Sequence, residues 1–240
     1  MRQPGYVCRP AENECDLTEL CTGASGDCPA DLYVKNLVEC NNGQGYCFNG
    51  QCPTVKSQCQ DVWGIKAEAG DEACYFKFNM GGTQSGHCGS LNKYGGGGGF
   101  KPCERENILC GTLHCQEGAS RPRIPQTTYS SHTQTVDGKE VQCKVMSGTF
   151  DPEVALDYGM VQDGTKCGDS MICMNQSCIN MQPLKSYTRC PVDANNAECS
   201  GRGVSIAAKK PINALMHTPL LTLKMHTTYL DLLEYQYLRM

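Results

Sequence analysis

Residues 8–31 read CRPAENECDLTELCTGASGDCPAD, and the spacing of their four cysteines decides how the rest of the chain is interpreted. This stretch contains six acidic residues and a single base, Arg9. Carboxylates crowded into so short a segment repel one another unless a positive charge lies among them. Asp16, Glu19 and Asp31 offer the oxygen ligands that Ca²⁺ prefers in proteins. A solvated acidic loop held by disulfides explains the same residues, so both interpretations stay open at this point.

The composition of the whole chain points to covalent crosslinks rather than to one large core. Its 240 residues include 19 Cys, 26 Gly and 12 Pro, but only 5 Phe and 1 Trp. We therefore expect disulfides to limit the entropy of the unfolded chain, as they do in proteins that follow the secretory route. No Cys-x-x-Cys pair occurs and histidines are few, so no zinc site is expected.

The charge and hydropathy of the chain exclude two further classes. The net charge is −4 and no basic cluster carries interleaved aromatic residues, so a nucleic-acid partner is not expected. The sequence has neither a signal-peptide region after Met1 nor an apolar run long enough to cross a membrane. A disulfide-rich chain without an export signal is contradictory. Together with the odd cysteine count, this predicts a fragment or an incomplete gene model.

Three motifs carry a resemblance to one family. The pattern CR-x5-CDLTELC-x-G-x-S-x-x-CPAD of residues 8–31 resembles the second half of the disintegrin domain of ADAM (a disintegrin and metalloproteinase) proteins and their venom relatives. GYCFNGQC at 45–52 and VQDGTKCGDSMICMNQSC at 161–178 resemble later motifs of the same family. The resemblance implies a small, disulfide-rich, loop-dominated α+β fold with little regular secondary structure. An elongated disintegrin arm would be followed by a cysteine-rich domain.

The resemblance also divides the chain. Residues 1–55 correspond to the C-terminal part of the disintegrin domain, and residues 56–183 to the cysteine-rich domain, with a variable region at 118–166. Residues 184–204 resemble a truncated start of an EGF-like module. Residues 205–240 contain no cysteine and resemble nothing in the family, so we expect a disordered tail.

For the acidic stretch, the resemblance implies a structural Ca²⁺ site. Asp16, Glu19 and Asp31 match the family's calcium carboxylates, and Leu17 and Leu32 match its backbone-carbonyl donors. Ca²⁺ is the one cofactor implied, and one or two waters would complete a coordination number of about seven.

The family's disulfide pairing can be carried over to this chain in the same way. It implies Cys8–Cys28, Cys15–Cys47, Cys40–Cys52, Cys59–Cys115, Cys74–Cys143, Cys88–Cys103, Cys110–Cys173 and Cys167–Cys178. This pairing assigns no partner to Cys21, Cys190 or Cys199.

Arg9, Asp16 and Glu19 also resemble the R-x6-D-L-P-E-F signature that is linked to integrin binding in several ADAM proteins. The corresponding integrin loop consists of Arg9, Pro10, Ala11, Glu12, Asn13 and Glu14. It contains no Arg-Gly-Asp, so integrins that recognise that tripeptide are not expected to bind. Asp16 and Glu19 cannot hold calcium and reach a receptor at the same time.

Local patterns predict secondary structure at several places. Asn49-Gly50 favours a tight hairpin, because both residues tolerate positive φ. Residues 68–71 suit a short helix, and residues 74–79, CYFKFN, suit a short strand. Residues 118–138 are rich in Ser, Thr, Pro and Gln, the composition of a solvated loop.

Other patterns concern single features. Trp63, the only Trp, is predicted to anchor the core of the cysteine-rich domain. Gly95 to Gly99 form a glycine run that predicts a flexible loop, and residues 151–160 favour a helical turn. Asn175-Gln176-Ser177 is an N-glycosylation sequon.

The family's protease domain carries an H-E-x-x-H zinc helix, and none of the five histidines here is followed by Glu. We therefore expect this chain not to be an enzyme. The favoured hypothesis is a non-catalytic adhesion and substrate-recognition module in the ectodomain of a single-pass ADAM protein. Its partners would be cell-surface or matrix proteins, including integrins, and protease substrates bound by the variable region. The alternatives are a secreted, protease-free receptor antagonist, and a fragment of an active zinc metalloendopeptidase whose catalytic domain lies upstream.

Overall fold

The computed structural model of the protein describes residues 2–91, 99–125, 127–149, 159–187 and 206–208. Several expectations concern residues outside these ranges. They are most of the glycine loop (95–98), the helical turn (151–158), most of the EGF-like start (188–204) and most of the tail (205 and 209–240).

The described residues form short antiparallel strands joined by loops. The strands are β1 (Val7–Arg9), β2 (Glu19–Leu20), β3 (Leu32–Val34), β4 (Glu39–Cys40), β5 (Gly45–Tyr46), β6 (Ala67–Ala69), β7 (Cys115–Glu117), β8 (Thr127–Val136), β9 (Lys139–Thr149), β10 (Lys166–Gly168), β11 (Met171–Met174), β12 (Ser177–Asn180) and β13 (Ile206–Ala208). The helices are α1 (Val55–Trp63), α2 (Glu72–Cys74), a π-helix (Tyr75–Asn79), a 3₁₀ helix (Arg105–Cys110) and α3 (Gln182–Tyr187).

The strands assemble into small sheets. The largest has the order β6-β7-β9-β8, a second has the order β10-β11-β12, and β1 with β2 and β4 with β5 form two-stranded pairs. Of the helices that the structure describes, none has the length and apolar character needed to cross a membrane. The small, disulfide-rich, loop-dominated fold predicted from the sequence is confirmed.

Eight disulfides crosslink the described residues. They are Cys8–Cys28, Cys15–Cys47, Cys40–Cys52, Cys59–Cys115, Cys74–Cys143, Cys88–Cys103, Cys110–Cys173 and Cys167–Cys178, the pairs that the resemblance implies. Among the described cysteines, Cys21 is free. Three bonds lie within residues 1–55 and five within residues 56–183, so none of the eight joins these two segments.

The two segments contact each other through apolar packing instead. Leu37 and Tyr46 of the first segment share a buried cluster with Ile172 and Met181 of the second. The ammonium group of Lys166 lies 5.8 Å from the centre of the Tyr46 ring. Among the described residues, the first segment therefore packs against the cysteine-rich segment without a disulfide between them.

The main core forms around Trp63, whose side chain is 1% exposed and which packs with Val62, Tyr75 and Met146. Its predicted role as a core anchor is confirmed. Helix α1 begins after Thr54, whose hydroxyl accepts a hydrogen bond from the Ser57 N–H in a capping box. The cap and the buried face of α1 together fix Trp63 in the core.

The predictions for residues 68–79 are wrong, because helix and strand are exchanged. Residues Ala67–Ala69 form strand β6, which pairs with β7, and the helical segment runs from Glu72 to Asn79. The Asp71 carboxylate accepts a hydrogen bond from the Ala73 N–H and so begins α2. Pairing with a distant strand decides the conformation of residues 67–69, and a local pattern does not contain that information.

The Asn49-Gly50 hairpin is confirmed. Phe48 and Gln51 pair across the turn, and Asn49 and Gly50 have φ of 49° and 81°. The tail differs from its expected disorder at three residues, because β13 pairs with β3 in the register Ile206↔Val34. The short apolar run of β13 offers its backbone groups to a strand edge.

Candidate functional site

Asp16, Glu19 and Asp31 come together within residues 1–55, the segment called the arm. One carboxylate oxygen from each lies within 4.8 Å of the others. Pairing of β1 with β2 places Glu19 opposite Arg9, and Asp16 forms a bridge with Tyr33. The structure therefore brings together the three carboxylates that the resemblance assigned to calcium.

The guanidinium of Arg9 occupies the centre of this cluster. It donates to both oxygens of Asp16, at 2.6 and 2.8 Å, and to both oxygens of Glu19, at 2.6 and 2.7 Å. It also pairs with Asp31. The sequence offered one signal for this arrangement, since Arg9 is the only basic residue beside six acidic residues in the stretch 8–31. Sequence reasoning nevertheless assigned Arg9 only to the integrin loop and missed its role as counter-charge.

The electrostatics of the cluster favour the ionised carboxylates. The side chains of Asp16 and Glu19 are 8% and 1% exposed. Hydrogen bonds from Arg9 hold the pKa of Asp16 well below its usual range, against the opposing effect of burial. Burial raises the pKa of Glu19, but the hydrogen bonds from Arg9 and from the Leu32 N–H outweigh it and leave that pKa lowered. The same contacts raise the pKa of Arg9.

The donor set fits Ca²⁺, a hard cation that takes carboxylate and carbonyl oxygens. The Leu17 carbonyl faces the same centre, 3.4 Å from an Arg9 nitrogen. Leu32 contacts the cluster through its N–H, which donates to Glu19 at 3.1 Å, so its expected carbonyl ligation has no counterpart among these contacts. Four of the five predicted ligand groups thus converge on a position that a cationic side chain now fills.

The integrin loop lies beside this cluster. Pro10, Ala11 and Glu12 are exposed, whereas Asn13 donates through its amide to the Gly50 carbonyl at 3.0 Å. The tip of the loop is therefore accessible, while the guanidinium of Arg9 points into the acidic cluster. The loop does not present Arg9 and Asp16 as a free pair.

A second candidate surface is the hairpin of β8 and β9 in the variable region, where residues 127–136 were wrongly expected to be loop. Asp137 and Gly138, with φ of 48° and 78°, form its two-residue turn. Asp-Gly is a strong signal for such a turn, and it was present in the sequence. Four of the Ser and Thr residues that suggested a loop are exposed on strand β8, namely Thr128, Ser131, Thr133 and Thr135.

The hairpin is firmly anchored to the core. Its Lys144 ammonium donates to the carbonyls of Glu117 and Ala119, both at 2.6 Å, and lies 4.2 Å from the centre of a Trp63 ring. Burial lowers the pKa of Lys144. The Cys74–Cys143 disulfide fixes the same strand from the other side. A rigid base thus carries a strand that faces solvent.

The glycosylation sequon lies at the turn between β11 and β12. Asn175 is exposed and has φ of 48°, and its N–H is bonded to Asp163 at 2.8 Å. The side chain of Asn175 is therefore accessible to a modifying enzyme.

Comparisons with known proteins agree with this architecture. A sequence model of the ADAM cysteine-rich family matches residues 36–155. "Disintegrin and metalloproteinase domain-containing protein 23" of Mus musculus and of Homo sapiens are each 40% identical over 202 residues, covering 83% of this chain and 23% of the relative. Protein 33 of the same series, from Homo sapiens, is 38% identical over 181 residues, covering 74% of this chain and 22% of the relative. The chain thus spans less than a quarter of the length of these relatives.

Proposed function

Because the chain belongs to the ADAM cysteine-rich family, we propose that it is a non-catalytic adhesion and substrate-recognition module in the extracellular part of an ADAM-type membrane protein. The relatives are named for a disintegrin and a metalloproteinase domain, and the family match here is to the cysteine-rich domain. In this proposal, any proteolysis belongs to another part of a longer protein. This chain holds partner proteins.

The observation that carries the proposal is the anchored hairpin of β8 and β9. Ser131, Thr133 and Thr135 are exposed on a strand whose base is fixed by Lys144 and by the Cys74–Cys143 bond. Rigid placement lowers the entropy that a surface loses when it binds. A hydroxyl-rich strand on such a base is suited to recognise proteins through hydrogen bonds.

Cell adhesion to the immobilised, correctly oxidised chain tests this function. We expect cells to adhere to the wild-type chain, and a Ser131→Arg/Thr133→Arg/Thr135→Arg variant to lose most of that adhesion. Gln44→Arg, an exposed change on the arm, is the control and should retain it. No adhesion by the wild-type chain, or equal losses in variant and control, would contradict the proposal.

Integrin recognition through the loop from Arg9 to Glu14 is a narrower form of the same proposal. The accessible tip at Pro10, Ala11 and Glu12 supports it, and the inward position of Arg9 limits it to contacts with the tip. In the same adhesion assay, Glu12→Ala should reduce integrin-dependent attachment, measured with and without integrin-blocking antibodies. Attachment that the antibodies leave unchanged would exclude integrins as the receptors.

We also propose that the cluster of Asp16, Glu19 and Asp31 binds a structural Ca²⁺ ion, with the Leu17 carbonyl as a further ligand. A divalent cation there would supply two positive charges to three carboxylates, so it would reduce their repulsion more than Arg9 does. Because Arg9 and the ion need the same oxygens, the guanidinium must leave the centre when the ion binds. The acidic cluster would then be held by metal in place of an ion pair.

A further inference from the structure

Strand β8 is the outer strand of the largest sheet, whose order is β6-β7-β9-β8. Within the described part of the chain, the backbone hydrogen bonds of residues 129–136 run to β9 alone. The other side of β8 is therefore a strand edge, a row of backbone donors and acceptors able to pair with a further strand.

The register of the hairpin identifies the residues that form this edge. Val136 and Lys139 close the two-residue turn, so they form a hydrogen-bonded pair, and such pairs alternate with non-bonded pairs along an antiparallel ladder. Counting back from Val136, the backbone N–H and C=O groups of Tyr129, Ser131 and Thr133 point away from β9, as do those of Thr135. The register shift lies before Tyr129, so it does not disturb this alternation.

Beyond the register shift before Tyr129, this edge lacks the features that usually prevent strand pairing. Strand edges in soluble proteins are commonly guarded by charged side chains, by proline or by bulges. Strand β8 contains no Lys, Arg, Asp, Glu or Pro, whereas its neighbour β9 contains Lys139, Glu140 and Lys144. All four outward-facing residues of β8 are exposed, with Tyr129 at 40%.

We propose that this edge pairs antiparallel with the same edge of a second copy of the chain, which forms a two-fold dimer. An uncharged strand can meet its own copy without placing like charges opposite each other. Two identical strands related by a two-fold axis perpendicular to them run antiparallel, so each outward donor faces an acceptor of the partner. Thr and Ser side chains then lie opposite Thr and Ser, a favourable cross-strand combination.

The dimer should be weak and reversible. A single pair of strands buries less surface than a standard protein–protein interface, so association should depend on concentration. The proposal concerns self-association and does not depend on the adhesion function proposed above. Because the dimer would cover the edge at Ser131, Thr133 and Thr135, a partner protein that binds this edge would compete with self-association.

Sedimentation equilibrium of the full chain over a wide concentration range tests the dimer. All proteins carry Cys21→Ser, and non-reducing gels identify covalent dimers, so strand pairing is separated from disulfide exchange. We expect the molar mass to rise reversibly toward that of a dimer. Ser131→Lys/Thr133→Lys should raise the dissociation constant by about tenfold or more, since edge lysines oppose pairing.

Two further variants make the test specific. Thr133→Pro removes an outward N–H but no bond to β9, so it should weaken the dimer while the hairpin remains, checked by near-ultraviolet circular dichroism. Gln142→Lys is the matched control, because Gln142 is exposed and lies directly opposite Thr133 on the inner strand β9. It should leave the dissociation constant unchanged. A monomer at every concentration, a dimer insensitive to the edge variants, or equal weakening by Gln142→Lys would each overturn the proposal.

Discussion

At the scale of single residues, the stability of the arm depends on the charge balance between Arg9 and the three carboxylates around it. Two of these carboxylates, Asp16 and Glu19, are almost fully removed from solvent. A buried charge without a partner is strongly destabilising, so the loss of Arg9 would leave the cluster without a counter-charge. The same oxygens make the cluster a candidate cation site, and the two roles of the carboxylates exclude each other.

The calcium proposal predicts that changing a ligand weakens Ca²⁺ binding, whereas changing a nearby acidic residue outside the cluster does not. In calorimetric titration of the chelator-treated chain, Asp16→Asn should weaken Ca²⁺ binding by on the order of tenfold or more, because affinity follows the number of charged ligands. Asp27→Asn changes an exposed acid outside the cluster and should bind as the wild type does. Bound Ca²⁺ should also raise the thermal stability of the wild type by mass action.

Arg9→Ala adds a second readout to the same experiment. The variant should be less stable than the wild type without calcium and should bind Ca²⁺ more tightly, because the competing guanidinium is absent. Loss of Ca²⁺ binding in this variant, or identical behaviour of the two Asp→Asn variants, would show that the carboxylates serve only as partners of Arg9.

His114 supports a prediction about pH in the core of the cysteine-rich segment. It is 0% exposed, its Nε2 bonds Asn79 Oδ1 at 3.1 Å, and its Nδ1 has no partner among the described residues. Burial, together with a smaller effect of the neighbouring His132, lowers the pKa of His114 from 6.5 to about 3. Because the folded state keeps His114 neutral, the unfolded state binds more protons as the pH falls below 6.5.

The free energy of unfolding should therefore fall from pH 6.5 toward pH 3 by up to about 1.4 kcal/mol per pH unit. Chemical denaturation at several pH values measures this slope, and His114→Gln should remove that part of it. His132→Gln changes an exposed histidine and should retain most of it. Carboxylates titrate in the same range, so the difference between wild type and His114→Gln is the decisive quantity.

At the scale of secondary structure elements, the hairpin of β8 and β9 depends on one buried lysine. Lys144 connects strand β9 to the loop at 117–119 through two carbonyls and stacks its ammonium on Trp63. Such a contact combines charge-assisted hydrogen bonds with a cation–π interaction. The lysine thus holds the exposed hairpin to the core while its charge stays satisfied.

Lys144→Met should lower the free energy of unfolding by about 1–3 kcal/mol, because it removes both hydrogen bonds and the cation–π contact but keeps most of the apolar volume. Urea unfolding followed by Trp63 fluorescence measures this loss. Lys139→Met, at an exposed position of the same strand, should stay within about 0.5 kcal/mol of the wild type. Equal stability of Lys144→Met and the wild type would mean that the disulfide alone anchors the hairpin.

The elements also show which parts of this structure a sequence can specify. The turn at Asn49-Gly50 was predictable because the conformation of two residues decides it. Residues 67–69 were not, because their pairing partner β7 lies far along the chain. Strand β8 was mistaken for loop because most of its Thr and Ser residues face solvent. The position of Arg9 depends on Asp31, 22 residues away, which only the folded arm brings near.

At the scale of the whole molecule, disulfides supply stability that the small hydrophobic core cannot supply alone. Cys59–Cys115 closes a loop with a sequence separation of 56, and Cys167–Cys178 one of 11. Crosslinks that close longer loops remove more entropy from the unfolded chain. The long bond lies inside the main core, with both sulfur-bearing residues 0% exposed.

Replacing Cys59 and Cys115 together by Ala should therefore cost about 4 kcal/mol from loop entropy, with an added cavity contribution. The same double change at Cys167 and Cys178 should cost about 3 kcal/mol. Guanidinium denaturation of both variants measures the difference. A larger loss at the short bond would show that strain or residual structure in the unfolded state outweighs loop length.

The separation of the eight bonds into three within residues 1–55 and five within residues 56–183 bears on how such proteins can recombine. Each segment keeps its own crosslinks, so a chimera that joins the arm of one relative to the cysteine-rich segment of another would form no mismatched pairs among these cysteines. What limits such a chimera is the apolar interface where Leu37 and Tyr46 pack against Ile172 and Met181. Functional shuffling across residue 55 should therefore require that these four side chains be inherited together.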